Sequence, residues 1–234
     1  MSGPEAETIR AGTLAGQRRE TVPIVLDDDL RRRLLEALLT PAERRKMTYE
    51  EFLAWAGEDT LAEWVNGEVV MTSPASRRHQ EIILFLGTVL GLYVEQQGLG
   101  RVVLPPFQIK LAQSGREPDL LYVAREHLER LQETYLDGPA DLVVEIASPE
   151  SVGRDRGEKF YEYEQAGVQE YWLIDPQREQ VEFYQLNPEG RYRLILPDAE
   201  GIYHSVVLPG LWLRVAWLWQ PPRVLDVLRE LALI

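Results

Sequence analysis

The sequence contains two acidic residues and one lysine whose side-chain chemistry and spacing are those that the hydrolysis of phosphodiester bonds requires. Asp119 follows Pro118 and opens the apolar run 120–123, so we expect it at the start of a β-strand. Glu145 interrupts the run 142–147, whose two alternating faces are both apolar, as in a strand covered on both sides. An ionised carboxylate there costs roughly several kcal/mol unless a cation or hydrogen-bond donors compensate for it. Glu145 therefore requires a partner.

The sequence offers Lys159 as that partner. Residues 153–166 are rich in Arg, Glu, Lys, Phe and Tyr, contain no proline and precede Gly167, which predicts a helix with a glycine stop. Asp155, Lys159 and Tyr163 fall at i, i+4 and i+8 and share one face of that helix. If the helix packs over the sheet, the Lys159 ammonium points toward Glu145, and Asp155 would help to orient the lysine.

This set of residues predicts a divalent-metal phosphodiesterase. Asp119 and Glu145 would supply oxygen ligands for Mg2+ or Mn2+, while Lys159 would position or polarise the attacking water and offset charge on the phosphate. A structural alternative stays open, in which Glu145 and Lys159 form a buried ion pair and Asp119 caps a turn. Buried pairs are expensive to retain for stability alone, which favours the metal site.

The length and composition of the chain limit its number of domains, its chemistry and its binding partners. The length of 234 residues suits one domain of ordinary size with an extension. The absence of cysteine excludes disulfides and thiolate chemistry and fits a cytoplasmic protein, which we expect this to be. A formal charge of -13 is unfavourable for holding a polyanion along an extended surface, so nucleic-acid binding would need local positive charge or a metal ion. No segment has eighteen uninterrupted apolar residues, so we expect no membrane span.

Other catalytic motifs are missing from the sequence. There is no GxSxG elbow, no HExxH and no P-loop. The three histidines, His79, His127 and His204, are too scattered for a histidine metal cluster. A metal site made of oxygen ligands remains possible, and such a site suits Mg2+ or Mn2+ better than zinc.

We expect two parts in the chain. Residues 1–46 predict a tail followed by an amphipathic helix, because the acidic triplet 27–29 precedes leucines 30, 34, 35, 38 and 39, and Pro41 follows. The basic groups 31–33 and 44–46 form a solvated helix face or, alternatively, a nucleic-acid contact. Residues 47–234 form the second part, a single α/β (α+β) domain.

The pattern of that domain predicts a mixed sheet flanked by helices. Thr48 and Glu51 form a capping box, and Asn66-Gly67 is a hairpin turn. Apolar residues at three- and four-residue spacing predict a long helix over 74–97. The remaining predicted elements are strands 101–104 and 107–111, a turn at 113–116, a last core strand 171–174, three antiparallel hairpin strands 181–186, 192–196 and 203–208 that extend the sheet, and a closing helix 223–234.

Several stretches together resemble the Uma-two family, a large bacterial group of the PD-(D/E)xK restriction-endonuclease-like superfamily. The resemblance covers residues 48–217, and its most specific block runs from EIASP to EYWLIDP. The stretches are MTYEEFLAW (47–55), EWVNGEVVMTSPASRRHQ (63–80), PDLLYV (118–123), DLVVEIASPES (141–151), GEKFYEYEQAGVQEYWLIDP (157–176) and VVLPGLWL (206–213).

The resemblance implies a restriction-endonuclease-like fold in which Asp119 is the PD aspartate and Glu145 the glutamate of (D/E)xK. Ala147 stands where the superfamily has its lysine, so the resemblance selects Lys159 from the following helix. Glu63 matches the glutamate of the first hairpin strand and is either a further acidic site residue or a surface carboxylate. His79 matches a polar family position, either in the site or as a capping or surface group.

The function that this implies is a Mg2+- or Mn2+-dependent DNA endonuclease, with a homodimer as a reasonable state because cutting two strands needs two sites. The alternative is a nuclease-fold protein without cleavage, which serves as a nucleic-acid-binding or protein-interaction module.

Overall fold

The computed structural model of the chain describes residues 46–56, 60, 62–71, 75–148 and 151–234. The predicted tail and amphipathic helix fall almost entirely on residues 1–45, outside this part of the chain. Within it, no helix is long and apolar enough to cross a membrane.

Local sequence signals account for the first elements. Helix α1 (Tyr49–Trp55) begins at the predicted capping box, in which Thr48 Oγ1 accepts from the backbone N–H of Glu51 and the Glu51 carboxylate accepts from the N–H of Thr48. Strands β1 (Ala62–Val65) and β2 (Glu68–Met71) form the predicted hairpin. Both turn residues, Asn66 and Gly67, have positive φ, as a type I′ turn requires.

The long helix α2 (Arg77–Gln97) begins three residues later than the pattern predicted. Ser76 is its N-cap, with the hydroxyl accepting from the backbone N–H of His79 at 3.2 Å. Gly98 ends it in the left-handed conformation that glycine adopts without steric cost. The predicted apolar face is buried, from Ile82 to Val94.

The rest of the domain alternates strands with short helices, including a 3-10 helix at Arg125–Arg130. The strands are β3 (Gly100–Val103), β4 (Gln108–Lys110), β5 (Ser114–Arg116), β6 (Leu120–Ala124), β7 (Tyr135–Asp137), β8 (Leu142–Ile146), β9 (Glu170–Asp175), β10 (Gln180–Leu186), β11 (Tyr192–Ile195), β12 (Ile202–His204) and β13 (Trp212–Arg214). Helix α3 spans 152–166 in three segments, Val152–Arg154, the π-helical Asp155–Lys159 and Phe160–Ala166, and it precedes α4 (Ala216–Trp219) and α5 (Val224–Glu230).

Two mixed sheets organise these strands. The six-stranded sheet has the order β11-β10-β9-β8-β6-β3, and only its β8–β9 pair is parallel. The five-stranded sheet has the order β2-β1-β5-β4-β7, with β4 and β7 parallel. Strands β12 and β13 pair with each other. The predicted fold class, a mixed α/β (α+β) architecture flanked by helices with a hairpin extension, is confirmed.

The six-stranded sheet is covered on both faces. One face, with Val144 and Trp172, packs on α2 and the C-terminal helices. The other, with Val143 and Leu173, packs against Tyr163 of α3 and Ile109 of the five-stranded sheet. The apolar run around Glu145 predicted this double coverage, and Glu145 lies on the second face because side chains alternate along β8.

Two local predictions are wrong. Residues 113–116 are not only a turn, because Ser114–Arg116 forms β5 between β1 and β4. The third hairpin strand does not extend the six-stranded sheet, since Ile202–His204 pairs with Trp212–Arg214 in a separate two-stranded ribbon. In neither case does the local pattern specify the pairing, because β5 also pairs with the distant β1, and β12 pairs with the later strand β13.

Candidate active site

Helix α3 directs Lys159 into the interior through its π-helical segment. Asp155 and Lys159 stand at the two ends of this segment, and both are buried. Tyr163, one turn further, is completely buried. The predicted shared face of Asp155, Lys159 and Tyr163 is therefore confirmed, although the π-helical geometry was not predicted. π-helical turns of this kind are frequent at functional sites.

One ammonium group is shared by three carboxylates. Lys159 Nζ donates to Glu145 at 3.0 Å from Oε1 and 3.1 Å from Oε2. It lies 3.1 Å from Glu63 Oε1 and 3.5 Å from Asp155 Oδ1. The Tyr163 hydroxyl also donates to Glu145 Oε1, at 2.7 Å. Strands from both sheets and helix α3 thus meet at Lys159.

Asp119 lies beside this cluster, immediately before β6. Leu120 pairs with Val144, which places Asp119 level with Glu145. Asp119 Oδ2 accepts from the backbone N–H of Ile146 at 2.6 Å, and Oδ1 lies 3.1 Å from His79 Nε2. The structure therefore brings together all four predicted site residues, Asp119, Glu145, Lys159 and Glu63. Glu63 is buried in the cluster and is not a surface carboxylate.

Arg116 is a site component that the sequence analysis missed. Its guanidinium is fully buried and binds Glu162 through two N–H···O contacts of 2.8 and 2.7 Å. It also donates to Glu63 Oε2 at 3.1 Å. Ser114 and Arg116 project from the same face of β5, and the Ser114 hydroxyl donates to Glu162 as well. Arg116 therefore holds Glu63 from the side opposite to Lys159.

The pKa of the Lys159 ammonium is raised. Burial alone would lower it, but the carboxylates of Glu145, Glu63 and Asp155 outweigh the burial. Glu63 shows the complementary shift, because Lys159 and Arg116 overcome its own burial and lower its pKa. Lys159 is therefore protonated at neutral pH and is unsuited to act as a general base.

The cluster contains more carboxyl groups than positive charges. Burial raises the pKa of Glu145 well above its ordinary value, the carboxylates of Asp155, Asp119 and Glu63 add to this, and Lys159 opposes it. Glu117 is partly buried, and its pKa is raised to about 7 by burial and by repulsion from Glu63. Without a further cation, the cluster reduces its excess negative charge by retaining protons.

The excess of carboxyl groups over positive charges predicts that the stability of the folded protein depends on pH. Because the folded-state pKa of Glu117 lies above its ordinary 4.5, its contribution to stability is full below pH 4.5 and is lost as the pH rises through about 7. We expect the metal-free protein to be less stable at pH 8 than at pH 6, with Glu117 accounting for about 1 kcal/mol after allowance for solvent screening.

Urea unfolding in EDTA at the two pH values measures this effect. The Glu117→Gln variant should lose the part of the fall in stability between pH 6 and pH 8 that Glu117 causes. The Glu189→Gln variant changes an exposed carboxylate, 68% accessible to solvent, and should show the same fall as wild type. An identical decline in wild type and Glu117→Gln would contradict the prediction.

The donor set suits a magnesium-like ion held by two carboxylates. Among the described residues, no three acidic or histidine side chains are placed to ligate one ion. Mg2+, however, is usually bound through one or two carboxylates and completed by water. Asp119 Oδ2 and Glu145 Oε2 each accept one protein hydrogen bond, and Asp119 Oδ1 lies 3.1 Å from His79 Nε2, so each of these oxygens keeps a lone pair for a ligand. Within the described residues, Asp155 Oδ1 is buried without a hydrogen bond, and Lys159 Nζ lies 3.5 Å from it. The excess of carboxyl groups over positive charges and these unused lone pairs fit a Mg2+ or Mn2+ ion.

Comparisons with known proteins agree with this architecture. The family model described as "Uma2: Putative restriction endonuclease" matches residues 49–216. A solved structure described as that of a "putative nuclease belonging to DUF820 from Anabaena variabilis ATCC 29413" is similar, with a TM-score of 0.64 and 19% sequence identity. The similarity covers 74% of this chain and 98% of that chain, and at this identity it shows a common fold. No curated protein matches the chain.

Proposed function

We propose that this chain, which belongs to the Uma2 family, is a divalent-metal-dependent nuclease that hydrolyses phosphodiester bonds, with DNA as its substrate. The observation that carries the proposal is the placement of Asp119 level with Glu145, beside a Lys159 ammonium 3.0 Å from Glu145. These residues come from separate parts of the sequence. Asp119 and Glu145 match the acidic pair of the superfamily, and Lys159 supplies the ammonium from the following helix, since Ala147 stands at the superfamily's lysine position.

The residues take distinct roles in this proposal. Asp119 and Glu145 would hold Mg2+ or Mn2+, which when bound would neutralise charge on the phosphate and make water a better nucleophile. Lys159 keeps a fixed positive charge beside Glu145, which limits repulsion between the acidic cluster and the phosphate. Glu63 and Asp155 hold the ammonium in place, and Arg116 in turn holds Glu63.

Nicking of supercoiled plasmid DNA tests the proposal. We expect purified protein to nick the plasmid with Mn2+, to be inactive in EDTA, and to lose activity in Asp119→Ala, Glu145→Gln and Lys159→Ala. Activity that survives all three changes would refute the assignment. Comparison of duplex, single-stranded and RNA substrates then tests DNA as the substrate, and sedimentation tests the predicted homodimer.

A nuclease-fold module without cleavage is the second candidate, and one observation favours it. Lys159 and Tyr163 already donate three hydrogen bonds to Glu145, so the protein itself satisfies much of this carboxylate. In that case Lys159 acts as a permanent internal counterion. Calorimetry discriminates between the two candidates, because a nuclease should bind Mn2+ through Glu145 and lose affinity in Glu145→Gln, whereas the module should bind DNA or a protein partner equally well in both forms.

A further inference from the structure

His79 is tied to the candidate metal pair although it lies on a different element. It stands in the first turn of α2, and its side chain is only 13% exposed. Its Nε2 lies 3.1 Å from Asp119 Oδ1. An ionised carboxylate has no hydrogen to donate, so a hydrogen carried on Nε2 would make this contact attractive. Helix α2 thus reaches Asp119 through the imidazole Nε2 of His79.

The second oxygen of Asp119 is fixed independently. Asp119 Oδ2 accepts from the backbone N–H of Ile146 at 2.6 Å, and Ile146 directly follows Glu145. The terminal torsion of an aspartate is broad, so a single contact would leave the carboxylate plane free to turn. Two contacts, one from α2 and one from β8, fix the plane and therefore fix the direction of the remaining lone pairs.

We propose that His79 is a positioning residue that orients the Asp119 carboxylate toward the metal ion. The inference rests on the proposed function and assigns a role that sequence analysis left open between the site and a capping or surface group. Capping of α2 does not need the ring, since the Ser76 hydroxyl accepts from the backbone of His79. The side chain is only 13% exposed, and its buried Nδ1 has no hydrogen-bond partner in the described part of the chain, so among these residues the contact with Asp119 is the polar contact that the ring makes.

Two variants of similar size separate positioning from packing. His79→Gln keeps an N–H donor near the place of Nε2, whereas His79→Phe keeps a ring and removes the donor. Titration calorimetry with Mn2+ alone, in the absence of DNA, measures the effect without relying on catalysis. We expect His79→Phe to weaken Mn2+ binding about 10- to 100-fold and His79→Gln to retain most of the affinity.

His127 supplies a matched control. Its Nδ1 lies 2.9 Å from Asp141 Oδ1 at the far end of β6, where Asp141 also accepts from the N–H of Ala124. His127→Phe should therefore leave Mn2+ affinity unchanged. Wild-type affinity in His79→Phe, together with lost binding in Asp119→Ala, would overturn the role of His79 and leave the proposed function intact. Absence of Mn2+ binding by the wild-type protein would overturn both.

Discussion

Replacement of Lys159 by methionine is expected to destabilise the metal-free protein by about 3–5 kcal/mol. Methionine fills a similar volume but removes the ammonium that Glu145, Glu63 and Asp155 share. The three carboxylates then stay buried without that counterion, and they must either take up protons or attract water. Because protonation relieves the repulsion, the loss of stability should be larger at pH 8 than at pH 6.

Urea unfolding of Lys159→Met in EDTA measures this loss. Lys110→Met is the control, since Lys110 Nζ lies 3.4 Å from an exposed carboxylate of Glu50 and near the rings of Tyr49 and Tyr135. Its removal should cost at most about 1 kcal/mol. If Lys159→Met unfolded at the same urea concentration as wild type, the buried carboxylates would be held by something other than this ammonium.

The sequence was most informative where one residue conflicted with its surroundings. Glu145 stood out because a carboxylate in a strand that is apolar on both faces demands a partner, and helical spacing then placed Lys159 and Tyr163 on one face. Both inferences depend on local patterns, and the structure shows the expected contact between Lys159 and Glu145, together with a Tyr163–Glu145 hydrogen bond that was not predicted. The family resemblance, which the comparison confirms, added Glu63 as a candidate for the same site.

Arg116 shows why the rest could not be predicted. The residues Gln113 to Arg116 have the composition of a turn, and only the neighbouring strands β1 and β4 make Ser114–Arg116 a strand. The partners that satisfy Arg116 are Glu63 and Glu162, which lie 53 and 46 positions away. Pairing over such distances depends on tertiary packing, for which a local pattern has no signal. Ser114 and Arg116 are two positions apart and would share one face of a strand, and this spacing was the only indication in the sequence that the segment is a strand.

Replacement of Glu145 by glutamine is expected to lower the rate of Mn2+-dependent plasmid nicking by about 10^2- to 10^3-fold. The change preserves the size of the side chain and one oxygen that can accept from Lys159 or Tyr163, so the fold should persist. It removes the negative charge that would hold the ion, and it replaces one carboxylate oxygen with an amide NH2 group that cannot act as a ligand. Mn2+ affinity in calorimetry should fall in parallel with the rate.

Glu164→Gln is the matched control for this prediction. Glu164 is also buried and lies on α3, but it accepts from Arg191 and from the backbone N–H of Tyr192 and makes no contact with Lys159 in the described structure. Its variant should nick plasmid at the wild-type rate. Full activity in Glu145→Gln would place the hydrolytic site elsewhere. Conversely, a wild-type protein that neither nicks plasmid nor binds Mn2+ would indicate the module without cleavage, in which Lys159 and Tyr163 satisfy Glu145 in place of an ion.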